Sequence, residues 1–206
     1  MHPAQIFHET DQAVLVERAR RGGLALVIGV GAQGPLVAHA PVLLDDPRRL
    51  RFHLGASNPL SSALAAGSQA LVVLTGDDAY ISPDWYETPD QVPTWNYESV
   101  EIEGPVRVLD RAEATALLDD LTQRHEAPLT PKAPWTRGKM DPAKFEALLS
   151  GITGFEMRVE RLTGVTKLGQ NKTPAMVRRV AAALSQRDDA GAQRIAQAML
   201  NRSREG

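Results

Sequence analysis

Three stretches of the sequence could do chemistry. In VTKLGQNKT (Val165–Thr173), Lys167, Gln170 and Lys172 are long-reaching hydrogen-bond donors. Donors of this kind suit a phosphate or a ring carbonyl, although a solvated loop ahead of a capped helix would look the same. The segment FHLGASNPL (Phe52–Leu60) runs from strand character through small residues to a helix start. A junction like this can present free backbone amides and the positive end of a helix dipole to an anion, with Ser57 and Asn58 adding polar groups. Equally, Asn58 followed by Pro59 can simply cap a short helix. The third stretch is AYISPDWYETPDQVPTWNY (Ala79–Tyr97), which holds five of the ten Phe, Trp and Tyr residues and all three tyrosines. Rings such as Tyr80, Trp95 and Tyr97 can wall a planar ligand, form a lid or dimer face, or pin a proline-rich loop to the core.

Other chemistries are excluded or unsupported. The chain has no cysteine, so disulfides, thiol catalysis and cysteine-ligated metals are absent. The five histidines are His2, His8, His39, His53 and His125. His39 and His53 fall on neighbouring expected strands and could form a two-histidine metal site, but no carboxylate lies near them in sequence and none is assigned. Nucleotide-binding glycine loops, HExxH and GxSxG are all missing. No side chain stands out as an acid or base, so no catalytic residue is named and enzymatic activity is left open. With 23 Lys and Arg against 25 Asp and Glu, the net charge of −2 lacks the footprint of a dedicated nucleic-acid binder. Local basic clusters do occur at Arg18, Arg20, Arg21 and at Arg48, Arg49, Arg51. The N-terminus does not read as a signal peptide, and no apolar run reaches membrane-spanning length. The expectation is a soluble, cytoplasmic chain.

The elements that must position these residues follow from pattern. A short helix is expected over 11–21, with Asp11 as its N-cap and Gly22-Gly23 as its stop. LALVIGV and PLVAHAPVLL, joined by GAQG, read as a hairpin. A strand follows at Leu50–Leu54, then a short helix from Asn58-Pro59 to about Gly67. Gln69–Thr75 and Ala79–Ser82 read as two strands split at Gly76-Asp77-Asp78, with loop over 83–94. Asn96–Leu109 reads as a strand interrupted at Gly104-Pro105. Asp110 with Glu113 opens a helix, 127–140 is loop, and Asp141-Pro142 starts another helix. Phe155, Met157 and Val159 mark a strand, and Met176–Leu184 with Gln193–Leu200 a helical tail. About six strands with hairpin connections and flanking helices argue for a mainly β, antiparallel barrel or sheet. The expected division is a barrel domain over 1–170 and a helical appendage over 171–206.

The ordered set FHLGASNP, AYISPDWY, VPTWNY, VEIEG and KLGQN resembles the PaiB family of FMN-binding split-barrel proteins, over roughly residues 3–200. The resemblance implies a split β-barrel akin to the pyridoxamine-phosphate oxidase superfamily, working as a homodimer with FMN in a groove between subunits. By the same analogy, the strand around His39–Pro41 and the Phe52–Asn58 junction, with His53, Ser57 and Asn58, face the phosphate and ribityl chain. Tyr97 and Ser99 fall on a strand that contacts the flavin, with Tyr80 and Trp95 beside it. Lys167, with Gln170, approaches the flavin from the other subunit. The sequence departs from the family pattern at Gly169, at Ala38 and at Leu60, where the family usually has serine, often serine, and a polar residue.

Three functions are compatible with this reading. The first is an FMN-binding redox or flavin-sensing protein, in which the cofactor carries the electrons. The second is a negative transcriptional regulator acting through DNA or a partner, for which the arginine clusters and the C-terminal helix pair could be enlisted. The third is an apo barrel that binds another small molecule.

Overall fold

The computed structural model describes residues 2–205. Glycine punctuation makes the first hairpin: β1 (Leu24–Gly31) turns through Gly34, at φ +122°, into β2 (Gly34–Asp46). Inward positions alternate along both strands, with Ala25 and Val27 on β1 and Ala38, Ala40, Val42 and Leu44 on β2 buried. The remaining strands are β3 (Arg49–Gly55), β4 (Gln69–Ile81), β5 (Thr94–Val108), β6 (Ile152–Arg158) and β7 (Arg161–Lys167). Their order is β4-β1-β2-β3-β6-β5-β7, and β4 also pairs with β5, so the run from β4 to β5 closes on itself. The registered pairs are antiparallel. The mainly β, antiparallel barrel expected from the sequence is what forms, with seven strands and six helices among the described residues.

Two strand expectations need correction. Gly76 does not split β4: its missing Cβ would lie 3.2 Å from the Glu98 backbone oxygen, so glycine serves there as a point of close approach. Gly104-Pro105 likewise leaves β5 continuous, because a Cβ at Gly104 would sit 2.0 Å from the Arg158 carbonyl oxygen. Strand β7 was not expected. Its Gly164 would place a Cβ 2.5 Å from both Leu15 Cδ2 and the Ser99 oxygen, so a close-packed strand carries a residue that reads as a breaker.

The chain divides into two compact units, Val16–Leu74 with Glu101–Leu162, and Met1–Leu15 with Thr75–Val100 and Thr163–Gly206. In the first unit, Phe52 and Phe155 pair across β3 and β6 and stack with centroids 5.3 Å apart. Helix α2 (Pro59–Ala65) sets Leu60 and Leu64 against Gly29 of β1, whose Cβ would lie 2.8 Å from Leu60 Cδ1. Helix α3 (Arg111–Glu126) starts with the expected capping box, Asp110 and Glu113 each bonding the other's backbone amide. Together with α4 (Pro142–Leu149) it buries Leu117, Leu121, Phe145 and Leu149 over Leu43 and Ile152. Buried Arg51 bonds Asp45 at 2.5 and 2.6 Å and Asp120 at 2.7 Å, while Arg49 bonds Glu156 at 2.6 Å.

In the second unit, α5 (Pro174–Ser185) and α6 (Ala190–Glu205) bury Val177, Val180, Leu184, Ile195 and Met199 with Ala79, Ile81, Tyr86 and Leu168. The N-terminal segment is tied to β7. His8 bridges Val165, and the buried Glu9 carboxylate accepts from the Thr166 hydroxyl at 2.9 Å. Helix α1 (Gln12–Arg21) follows, with the Asp11 carboxylate accepting from the Ala13 amide at 2.8 Å. Among the described residues, no helix is long and apolar enough to cross a membrane.

Candidate functional site

The first unit holds five of the expected cofactor residues. His39 is exposed on β2, opposite Leu26 of β1, and Pro41 is half-buried opposite Leu24. Pro41 and His53 flank the Val42–Phe52 pair on adjacent strands, so the hairpin does bring them close in register. His53 pairs with Gly154 of β6, and its Nδ1 is buried with no hydrogen-bond partner. Burial holds its pKa below the ordinary imidazole value, because the cation would lose its solvation.

At the junction of Ser57 and Asn58, several backbone amides are bonded within the chain. Ala56 N–H donates to Gly151 O and Asn58 N–H to Gly55 O, both at 2.9 Å. The Asn58 side-chain oxygen accepts from Leu60 N–H at 2.9 Å, and Ser61 N–H donates to Asn58 O at 2.9 Å. The Ala56, Asn58, Leu60 and Ser61 amides are thus taken up by the turn and the cap, and Ser57 is exposed.

The second unit holds the other six. Tyr80 on β4 and Trp95 on β5 make an edge-to-face pair with centroids 5.9 Å apart, and they stay 40% and 54% exposed. Trp95 and Tyr97 line a shallow hollow of about 340 Å³ with Thr75, Gly76, Asp78 and Glu98. Strand alternation puts Trp95, Tyr97 and Ser99 on one face of β5 and Asn96 on the other, where it is 1% exposed. Gln170 is turned to its own loop, its Oε1 accepting from Leu168 N–H at 2.7 Å and its Nε2 donating to Thr166 O at 2.5 Å.

Lys167 lies at the end of β7, where its Nζ donates to the Thr94 hydroxyl at 2.5 Å and sits 5.7 Å from the Phe7 ring centroid. Partial burial holds its pKa below the ordinary lysine value. Lys172 donates to Gln91 Oε1 at 2.7 Å and lies 4.9 Å from the Tyr86 ring centroid. Both lysines line one cleft of about 230 Å³ together with Phe7, Tyr86, Thr94 and Asn96. Sequence reasoning passed over Thr94 and Asn96. The signal for Asn96 was a polar residue at the inward parity that Val100 and Ile102 share.

An antiparallel sheet that closes on itself, with flanking helices, defines a split-barrel protein. Residues 1–161 match the family described as "Putative FMN-binding domain", so the chain belongs to this FMN-binding family. It is 27% identical over 202 residues to the Protease synthase and sporulation protein PAI 2 of Bacillus subtilis, covering 97% of this chain and 96% of that protein. The PaiB resemblance therefore holds along essentially the whole length. Among solved structures, the fold is similar to an FAD and heme binding protein from Mycobacterium smegmatis. That match has a TM-score of 0.57 and 19% identity, covering 79% of this chain and 74% of the other. The flavocytochrome Anf3 from Azotobacter vinelandii matches with a TM-score of 0.56 and 16% identity, over 81% and 72% of the two chains.

Proposed function

We propose that the protein loads FMN as a homodimer and acts as a flavin-dependent redox or flavin-sensing protein. The exposed Tyr80–Trp95 pair carries this reading, since two adjacent rings left open to solvent are apolar surface that a planar ligand would cover. The charge suits the cofactor too, because Lys167 and Lys172 bring positive charge beside an anionic ligand. In this reading, His39, Pro41, His53, Ser57 and Asn58 serve the phosphate and ribityl chain. Tyr80, Trp95, Tyr97 and Ser99 serve the ring, and Lys167 with Gln170 serves the flavin of the other copy. FMN supplies the electron-carrying ring when bound, while the chain binds and orients it. The helices after residue 170 are read as an appendage to the barrel, and a cytoplasmic location accords with a chain that lacks cysteine.

Dimerisation has its own support. Leu24, Val30 and Val37 are 68%, 70% and 57% exposed on the β1–β2 hairpin, on the face that His39 shares. An apolar sheet face of this kind is what a partner copy would cover. Direct DNA regulation draws less support, since Arg49 and Arg51 are already committed to Glu156, Asp45 and Asp120.

A visible-absorbance titration of the purified protein with FMN tests the flavin reading. The expected result is saturable binding with a shifted flavin spectrum. No uptake at tens of micromolar FMN sinks it.

A further inference from the structure

Among the described residues, the cleft beside β7 is lined by two ammonium groups and no carboxylate. Lys167 and Lys172 both line it, and their hydrogen bonds go to a hydroxyl and an amide oxygen, from Thr94 and Gln91. Among the described residues, no Asp or Glu lines this cleft, nor the adjoining hollow of about 460 Å³ that shares Gly169 and Lys172 with it. Elsewhere in the chain the usual arrangement is the opposite. Arg49, Arg51, Arg107, Arg137 and Arg194 each face a carboxylate within 3.0 Å. Two half-buried cations left without counter-ions are costly unless a ligand brings the negative charge.

Two further features point the same way. Asn96 lines the cleft and is 1% exposed, yet its side-chain amide has only the Met199 sulfur, 3.3 Å away, as an acceptor. A thioether accepts weakly, so this amide is a strong donor in reserve. Helix α5 starts directly after Lys172, with Thr173 as N-cap, and adds the positive end of its dipole. The volume of about 230 Å³ falls below the roughly 300–1,000 Å³ of pockets that engulf a drug-sized molecule. The space suits a compact group.

We propose that the cleft formed by Lys167, Lys172, Asn96 and Thr94 is a binding site for a phosphate-type oxyanion, either the phosphate of the flavin or a separate small ligand. The lysines supply the charge, while Asn96 and the Thr94 hydroxyl supply directional hydrogen bonds. Tyr86 and Phe7 form walls that keep the ammonium groups poorly hydrated, which strengthens their pull on an anion. The site stands whether or not the protein loads flavin.

Calorimetric titration of the full-length protein with sodium pyrophosphate at low ionic strength tests this, alongside FMN and riboflavin titrations read by absorbance. Wild type should bind pyrophosphate saturably. Lys167→Gln and Lys172→Gln should each weaken it by about tenfold or more, with Lys172→Arg retaining most of the affinity. If Lys172→Gln also erases a preference for FMN over riboflavin, the oxyanion is the flavin phosphate. If that preference survives while pyrophosphate binding is lost, the site takes a separate ligand. Pyrophosphate binding without any flavin uptake would remove the flavin reading and leave this one intact. The proposal is overturned if wild type shows neither saturable pyrophosphate binding nor an FMN preference sensitive to these lysines.

Discussion

The side-chain amide of Asn96 donates to the sulfur of Met199 at 3.3 Å, and each residue is 1% exposed. An inward-facing polar residue on a barrel strand is thus satisfied by one of the weakest acceptors a protein has. Met199→Leu, which keeps the volume and removes the acceptor, should cost less than about 1.5 kcal/mol by chemical denaturation. A loss of about 3 kcal/mol or more would show that the amide depends on the sulfur and is not held in reserve for a ligand.

Trp95 separates a ligand wall from an assembly anchor. It is 54% exposed and touches Tyr80 edge-on. Trp95→Ala should leave the oligomeric state measured by light scattering unchanged and weaken FMN binding by about tenfold, in keeping with the loss of one aromatic contact worth about 1 kcal/mol plus its buried area. Conversion to monomer with flavin affinity preserved would assign the ring to assembly.

Val37 tests the proposed dimer face. Its side chain is 57% exposed on β2 across from Ile28 of β1. A charge there costs little in a monomer but is unpaired and desolvated in a packed interface. Val37→Glu should give a folded monomer by sedimentation, with a circular dichroism spectrum like wild type. A variant that still sediments as a dimer places the interface elsewhere.

His53 should make stability sensitive to acid. Its folded pKa is depressed by burial, so below the ordinary value of about 6.5 the unfolded chain binds the proton more readily. The contribution is fully present above about pH 6.5 and is lost as pH falls through the folded pKa. Denaturation midpoints should decline on acidification from pH 7 to 5, and His53→Leu should flatten that part of the profile. An unchanged slope in the variant would assign the acid sensitivity to other groups.

Gly104 admits no side chain. A Cβ would lie 2.0 Å from the Arg158 carbonyl oxygen, and backbone cannot yield as a flexible side chain can. Gly104→Ala should cost more than about 3 kcal/mol or fail to accumulate as soluble protein. Gly34→Ala, where nothing lies within 4 Å, meets only the cost of φ +122° and serves as the comparison.

Local signals were read correctly from the sequence because their partners are a few residues away. The Asp110–Glu113 capping box, the Asn58 cap and the GAQG hairpin all complete themselves within a handful of positions. Gly76 and Gly104, which the sequence suggests as a turn and an interruption, differ from expectation for the opposite reason. Glycine marks a turn when the chain needs a positive φ, but here each lets a distant backbone or side chain approach, and nothing beside it in sequence reveals that. The site shows the same split. Lys167 and the aromatic cluster stood out by type, whereas the commitment of Gln170 to its own loop and of Arg51 to Asp120 did not.

The sequence by itself determined the fold class and the FMN-binding family. It did so because strand alternation, helix caps and motif order are properties of neighbouring residues. Tertiary structure alone decided which polar groups remain available to a ligand. Lys167 meets Thr94 across 73 positions and Lys172 meets Gln91 across 81, and among the described residues neither meets a carboxylate. The charge balance of a site depends on what the folded chain brings within a few ångströms, and composition averaged over the whole chain cannot contain that information.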